Sequence, residues 1–262
     1  MALATFALWL KRQGFNVYVL TTKSYNLEYH HDLSRYKCIQ GIHILRFNYV
    51  PLLNRLWKYL FLSLDLIRFL IKYSFDVIVL FSSLPSFFTF SAFILGKIRG
   101  SCIIYRPMFN PRRLNIIKSK FVRILGYLWD YAILIKLLKL ADYIVVLTHV
   151  EKKIIQNLVK VADEKIRIIP DPIIVKDDYD KIKELGHTKR KKYGIDEQTI
   201  VLLTVGRIVE YKGVQYLIQA LKGIKDRLNN KVVLIIVGPQ TSYLKQIKRL
   251  IKELKLQENV RI

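Results

Sequence analysis

The sequence predicts an α/β protein of doubly wound parallel sheets arranged in two domains, and three observations carry that expectation. Short β-branched runs alternate with segments whose apolar residues recur at helical spacing. Most strand runs are continuous rather than alternating, which is how strands covered by helices on both faces read. A rigid Ile169-Pro170-Asp171-Pro172 punctuation, followed by a highly charged stretch, separates an earlier group of such units from a later one.

Along the first group, strands are expected at residues 17–21, 42–47, 77–81, 102–105, 143–147 and 165–169. The stretch 77–96 carries no charge and has the length to cross a bilayer. Ser82, Ser83, Pro85 and Ser86 at its centre favour strand, loop and buried helix instead. Residues 49–73 mix Leu, Phe and Trp with Arg55, Lys58, Arg68 and Lys72, a helical region whose basic aromatic face suits anionic headgroups or packing on the sheet. The boundary is placed near Pro172, giving domains 1–172 and 173–262. Residues 177–192, with the run Lys189-Arg190-Lys191-Lys192, read as a charged linker. Strands follow at 200–205 and 232–237. Helices are expected where Val214, Leu217, Ile218, Leu221 and Ile224, and then Leu244, Ile247, Leu250, Ile251 and Leu254, recur.

Composition narrows the function classes. At 52% hydrophobic, with 11 Gly and 7 Pro, the chain can build a core and is neither fibrous nor disordered. Its net charge of +24 suits an anionic partner or a solvated surface. The charge is diffuse, with 25 basic and 10 acidic residues in 1–172 against 19 and 10 in 173–262. No nucleic-acid-binding signature accompanies it, so no nucleic-acid partner is expected. Met1–Leu10 is apolar, but Lys11 and Arg12 follow it, the reverse of a secretory signal, so the expected location is cytoplasmic. Cys38 and Cys102 lack disulfide or metal-ligand spacing and read as buried thiols in a reducing compartment. None of His30, His31, His43, His149 and His187 stands in a pattern that marks a catalytic base; His149 alone follows a strand end near a crevice.

The chemistry concentrates in Val205-Gly206-Arg207-Ile208-Val209-Glu210-Tyr211-Lys212-Gly213, between a buried strand and an amphipathic helix. Ligands of doubly wound sheets bind at the carboxyl ends of the strands. Gly206 permits a sharp turn there. Arg207 offers a planar fork of donors for two phosphate oxygens, and Lys212 adds a compact cation where the next helix contributes free N–H groups. Together they can form a diphosphate cradle; spacing alone is better served by a surface turn carrying two solvated cations.

The pattern G-R-x-x-x-x-K-G after a strand resembles the donor site of glycosyltransferase family 4, of the GT-B fold. Other segments agree in order: Leu10–Thr21, Ala141–Thr148, Lys165–Pro172 with Asp171-Pro172 in place of Asn-Gly, and Ile235-Ile236-Val237-Gly238-Pro239. The resemblance implies two Rossmann-like domains, the second incomplete. It implies transfer of a sugar, with retention, from a nucleotide-diphosphate donor such as a UDP- or GDP-sugar to a glycan or lipid-linked acceptor. Arg207 and Lys212 would be the catalytic pair. Gly206, Gly213, Gly238 and Pro239 would complete the donor site, and no metal or other cofactor is expected. An anionic membrane surface is a further expected partner, met peripherally on the inner face.

Against the family pattern both ends read as short. The opening strand with its Gly-rich loop, and the paired glutamates that bind donor sugar and ribose, fall outside the sequence. In Arg106-Pro107-Met108-Phe109-Asn110-Pro111-Arg112-Arg113, Met108 and Asn110 stand where histidines are common. Arg106, Asn110 and Arg112 are the acceptor-side candidates, a basic surface loop being the plain alternative. Three rival readings remain: an inactive fragment, a non-enzymatic basic membrane- or nucleic-acid-binding module, and a sugar-nucleotide epimerase or phosphorylase, the last lacking this register.

Overall fold

The computed structural model describes residues 2–25, 28–29, 32–51, 61–82, 86–108, 120–172, 179–225, 227, 231–239 and 241–262. The chain forms two compact units, Met1–Ile174 and Val175–Ile262.

The first unit contains two principal sheets. In one, Tyr18–Thr22 runs parallel to Ile42–Phe47, which pairs antiparallel with Tyr36–Ile39. That hairpin is absent from the expected elements. Its turn is Gln40-Gly41, with φ of 51° and 75°, the positive pair a two-residue hairpin requires. Tyr36–Ile39 is exposed throughout, so it lacks the apolar run that marks the other strands. The position also corrects one expectation: Cys38 lies on this outer strand and is exposed, while Cys102 is half-buried, and both are free thiols.

The second sheet is parallel, in the order Val77–Ser82, Cys102–Pro107, Tyr143–Val146, Ile166–Ile168. The uncharged stretch 77–96 divides between the first of these strands and helix Phe87–Ile98, which Ser86 caps by accepting the Thr89 N–H at 3.2 Å. Among the described residues no helix is long and apolar enough to cross a membrane. Within 49–73, residues 52–60 lie outside the described set. Helix Leu64–Lys72 buries Leu66 and Leu70 and is capped by Ser63. One core joins Phe47, Leu66, Phe93, Ile103, Tyr105, Leu138 and Ile144 across both sheets.

The second unit is simpler. Ile200–Val205, Val232–Val237 and Val260–Arg261 lie side by side in sequence order, all parallel. Right-handed crossovers between strands laid down in order place successive helices on one face. Val214, Ile218 and Leu221 of helix Val214–Ile224 and Leu244, Ile247 and Ile251 of helix Leu244–Glu253 accordingly share a core with Val232, Leu234 and Ile236. On the other face Leu203, Val205 and Val237 are 63%, 72% and 48% exposed. Residues 177–192, read as a linker, contain instead helix Tyr179–Lys192. Lys, Arg, Glu and Leu are strong helix formers, and four basic residues in its last turn face the negative end of the helix dipole. Helical propensity therefore prevails where no apolar stripe announces the helix.

Candidate functional site

The site is built on the last residues of two parallel strands, where Val205 stands opposite Val237. The Gly206 N–H donates to the Val237 carbonyl at 2.9 Å, so the ladder continues one step past the strand. A Cβ placed on Gly238 would lie 1.8 Å from the Gly206 carbonyl oxygen. Backbone meets backbone there, and only glycine at 238 allows it. Gly206 itself has open space beside it.

From this junction the loop 206–213 is tied down at one point and open elsewhere. Ile208 is fully buried in the second unit's core. Its carbonyl accepts from the Thr241 hydroxyl, which in turn accepts the Tyr243 N–H at 3.3 Å. The second βα loop thereby braces the first. A 3-10 turn, Glu210–Lys212, leads to Gly213 at φ 76°, the left-handed conformation that opens helix Val214–Ile224. With Ile208 held inward, Arg207, Glu210, Tyr211 and Lys212 are exposed.

Two cations, five positions apart in sequence, meet on one ring. Arg207 donates through Nη2 to the Tyr211 hydroxyl. The Arg207 guanidinium carbon is 5.9 Å from the Tyr211 ring centroid, and the Lys212 Nζ is 5.8 Å from it. Nearby, burial foremost, and then the Glu210 charge and Tyr216, push the Tyr243 phenol above its ordinary pKa. Gly206, Arg207, Lys212, Gly213, Gly238 and Pro239, the donor-side residues expected from the sequence, all belong to these two strand-end loops. Tyr211 and Thr241 were not among them. Tyr211 had a readable signal, since it stands four residues after Arg207 and neighbours Lys212; Thr241 had none.

The acceptor-side candidates part company. Arg106 is 8% exposed, at the end of Cys102–Pro107. Its Nη2 lies 2.5 Å from Asp171 Oδ1 and its guanidinium sits 5.0 Å from the centre of the Phe81 ring. That guanidinium is engaged within the first unit rather than open to a ligand. Asn110 and Arg112 lie outside the described residues. His149 is exposed at the start of helix His149–Val159, which Thr148 caps. Among the described residues no group of three or more His, Cys, Asp or Glu is placed to hold a metal ion.

Comparison with known proteins places both units. The family model for Glycosyltransferase Family 4 matches residues 2–176, and that for Glycosyl transferases group 1 matches 187–262. An uncharacterized glycosyltransferase of Methanocaldococcus jannaschii, MJ1059, is 30% identical over 144 residues, which is 54% of this chain and 32% of the relative. Among solved structures, WaaG, a glycosyltransferase involved in lipopolysaccharide biosynthesis, superposes with a TM-score of 0.65 at 20% identity, over 99% of this chain and 64% of WaaG. Anabaena HepE in complex with UDP-glucose superposes with a TM-score of 0.57 at 15% identity, over 84% of this chain and 55% of HepE. The chain thus spans about a third of the curated relative's length, and under two thirds of either solved chain.

Proposed function

The chain belongs to Glycosyltransferase Family 4, and from that premise we propose that it transfers a sugar, with retention, from a UDP- or GDP-sugar to a glycan or lipid-linked acceptor. The observation that carries this reading is the pair of exposed cations, Arg207 and Lys212, held on one tyrosine ring beside the strand ends at Gly206 and Gly238.

The chemistry asks for such a pair. As the bond from the anomeric carbon to the diphosphate breaks, negative charge gathers on the leaving oxygens, and cations aimed there favour the transition state over the ground state. Arg207 can chelate two phosphate oxygens with its remaining N–H groups, and Lys212 supplies a point charge. Gly206 has open space beside it, so a nucleotide can approach the backbone closely there, while Gly238 lets the two strand ends meet. In this proposal the leaving group is stabilised by these side chains, and the acceptor oxygen joins the anomeric carbon on the face the diphosphate leaves, its proton passing to an oxygen of the departing diphosphate.

The proposed setting is the cytoplasm, at the inner membrane surface. Helix Leu64–Lys72 supports it by exposing Leu64, Arg68, Ile71 and Lys72 at spacings of one helical face, opposite buried Leu66 and Leu70. Co-sedimentation with anionic liposomes at low salt is expected, and its absence removes the membrane part of the proposal.

Calorimetric titration with UDP and GDP tests the donor reading. The wild-type chain should bind at least one, and Arg207→Ala and Lys212→Ala should each weaken that binding roughly tenfold or more, as charge-assisted hydrogen bonds to phosphate imply. Unchanged affinity in both variants rejects the assignment.

A further inference from the structure

Tyr211 contacts no phosphate in the diphosphate reading, yet it touches both cations of that site. Its hydroxyl accepts from Arg207 Nη2, and its ring lies 5.9 Å from the Arg207 guanidinium carbon and 5.8 Å from Lys212 Nζ. We propose that Tyr211 is the positioning residue of the donor site: its hydroxyl holds Arg207 and its ring attracts Lys212 before a diphosphate arrives. The proposal rests on the donor-site reading given above.

The physical case has three parts. Arg and Lys are long side chains, and fixing them on binding costs rotamer entropy. Two like charges also repel when brought to one cradle without a ligand. A neutral tyrosine engages both, Arg207 at its hydroxyl and Lys212 through its ring, without neutralising either, so each keeps its full charge for phosphate. The hydroxyl engages one guanidinium nitrogen and leaves the remaining N–H groups of the fork free. A carboxylate in this place would hold the cations by pairing with them, and would compete with the incoming anion. Tyr211 is 56% exposed and lies outside the second unit's core, so its removal leaves the fold intact.

Its place on the chain supports the same role. Buried Ile208 and the brace from Thr241 fix the loop just after Arg207. The 3-10 turn Glu210–Lys212 then brings Tyr211 back to Arg207, whose Nη2 donates to its hydroxyl. Gly213, at φ 76°, ends the turn next to Lys212. The geometry that brings ring and cations together is thus set by backbone anchors on both sides of the ring.

The test is titration of the 262-residue chain with UDP and with inorganic pyrophosphate, for wild type, Tyr211→Phe, Tyr211→Ala, and Tyr211→Ala added to the Arg207→Ala, Lys212→Ala double variant. Tyr211→Ala should weaken both ligands about three- to tenfold, and Tyr211→Phe, which keeps the ring, by about half that factor or less. In the double variant Tyr211→Ala should change nothing further, because there is no cation left to position. A merely structural tyrosine gives a different pattern: its loss would weaken UDP binding equally in the double-variant background and lower the unfolding midpoint. If wild type binds neither UDP nor GDP, the donor-site reading itself fails. If wild type binds UDP and the two cation variants lose it while Tyr211→Ala binds as wild type, the donor site stands and the role given to Tyr211 is overturned.

Discussion

Two arginines stand at the carboxyl ends of parallel strands, one in each unit, and the structure treats them differently. Arg106, in Cys102–Pro107, is buried against the Phe81 ring and paired with Asp171 across 65 positions of sequence. Arg207, two residues past Ile200–Val205, is exposed, and its guanidinium meets Tyr211. A buried guanidinium must be paired, because desolvating an uncompensated charge is prohibitive. An exposed one resting on a neutral ring keeps its capacity for an anion. The residue type and topological position are shared; burial and the partner's charge divide a paired guanidinium from an exposed one.

That division can be broken or sharpened by stability measurements, starting with the change that removes the platform itself. Gly238→Ala drives a methyl into the Gly206 carbonyl, so the two strand ends must separate; a loss of about 3 kcal/mol or more is expected in urea unfolding. Arg106→Ala should follow, at roughly 2–3 kcal/mol, because it strands the Asp171 carboxylate and empties the space beside Phe81; the half-exposed carboxylate keeps the value below that of a fully buried pair. Asp171→Leu together with Arg106→Met should recover part of this, as an apolar replacement of both partners does.

A partly exposed pair gives a smaller effect with a definite sign. Burial raises the Asp142 carboxyl, but hydrogen bonds from Lys97 and the Ile103 N–H, with the Lys97 and Lys165 charges, outweigh it and hold the group below its ordinary value. A carboxylate lowered in the folded state adds stability above its unfolded pKa, and that stability is lost as pH falls through the lowered native value. Asp142→Asn should therefore flatten the acid limb of the stability profile below about pH 4, by less than about 1 kcal/mol after solvent screening. Arg207→Ala should be smallest of all, within about 0.5 kcal/mol by thermal unfolding. A large stability loss there would erase the contrast with Arg106.

The same contrast explains what the sequence shows and hides. Strands 42–47, 200–205 and 232–237 stand where their apolar runs put them, although Ile200–Val205 leaves Leu203 and Val205 exposed on one face. The loop carrying Arg207 and Lys212 is legible because its residues are close together in the chain. Arg106's partner is not, since Asp171 is 65 positions away and only the fold unites them. Helix Tyr179–Lys192 escaped for a related reason: it has no apolar stripe, and charge alone resembles a linker. The hairpin at Tyr36–Ile39 turns through Gln40-Gly41, a weaker signal than Asn-Gly or Asp-Gly, and its exposed strand has no apolar run. Nothing in the sequence announces that Gly238 touches Gly206, because the requirement arises from two strand ends meeting in space.

The central claim, that the exposed arginine and its lysine neighbour receive the donor's diphosphate, is tested most directly by a crystal structure with UDP bound. The account predicts phosphate oxygens at about 2.7–3.0 Å from Arg207 and Lys212, beside the junction of Gly206 and Gly238. Diphosphate seated away from both side chains, for instance in the cavity lined by Lys225, Lys255 and Arg261 at the other end of the same sheet, would contradict it.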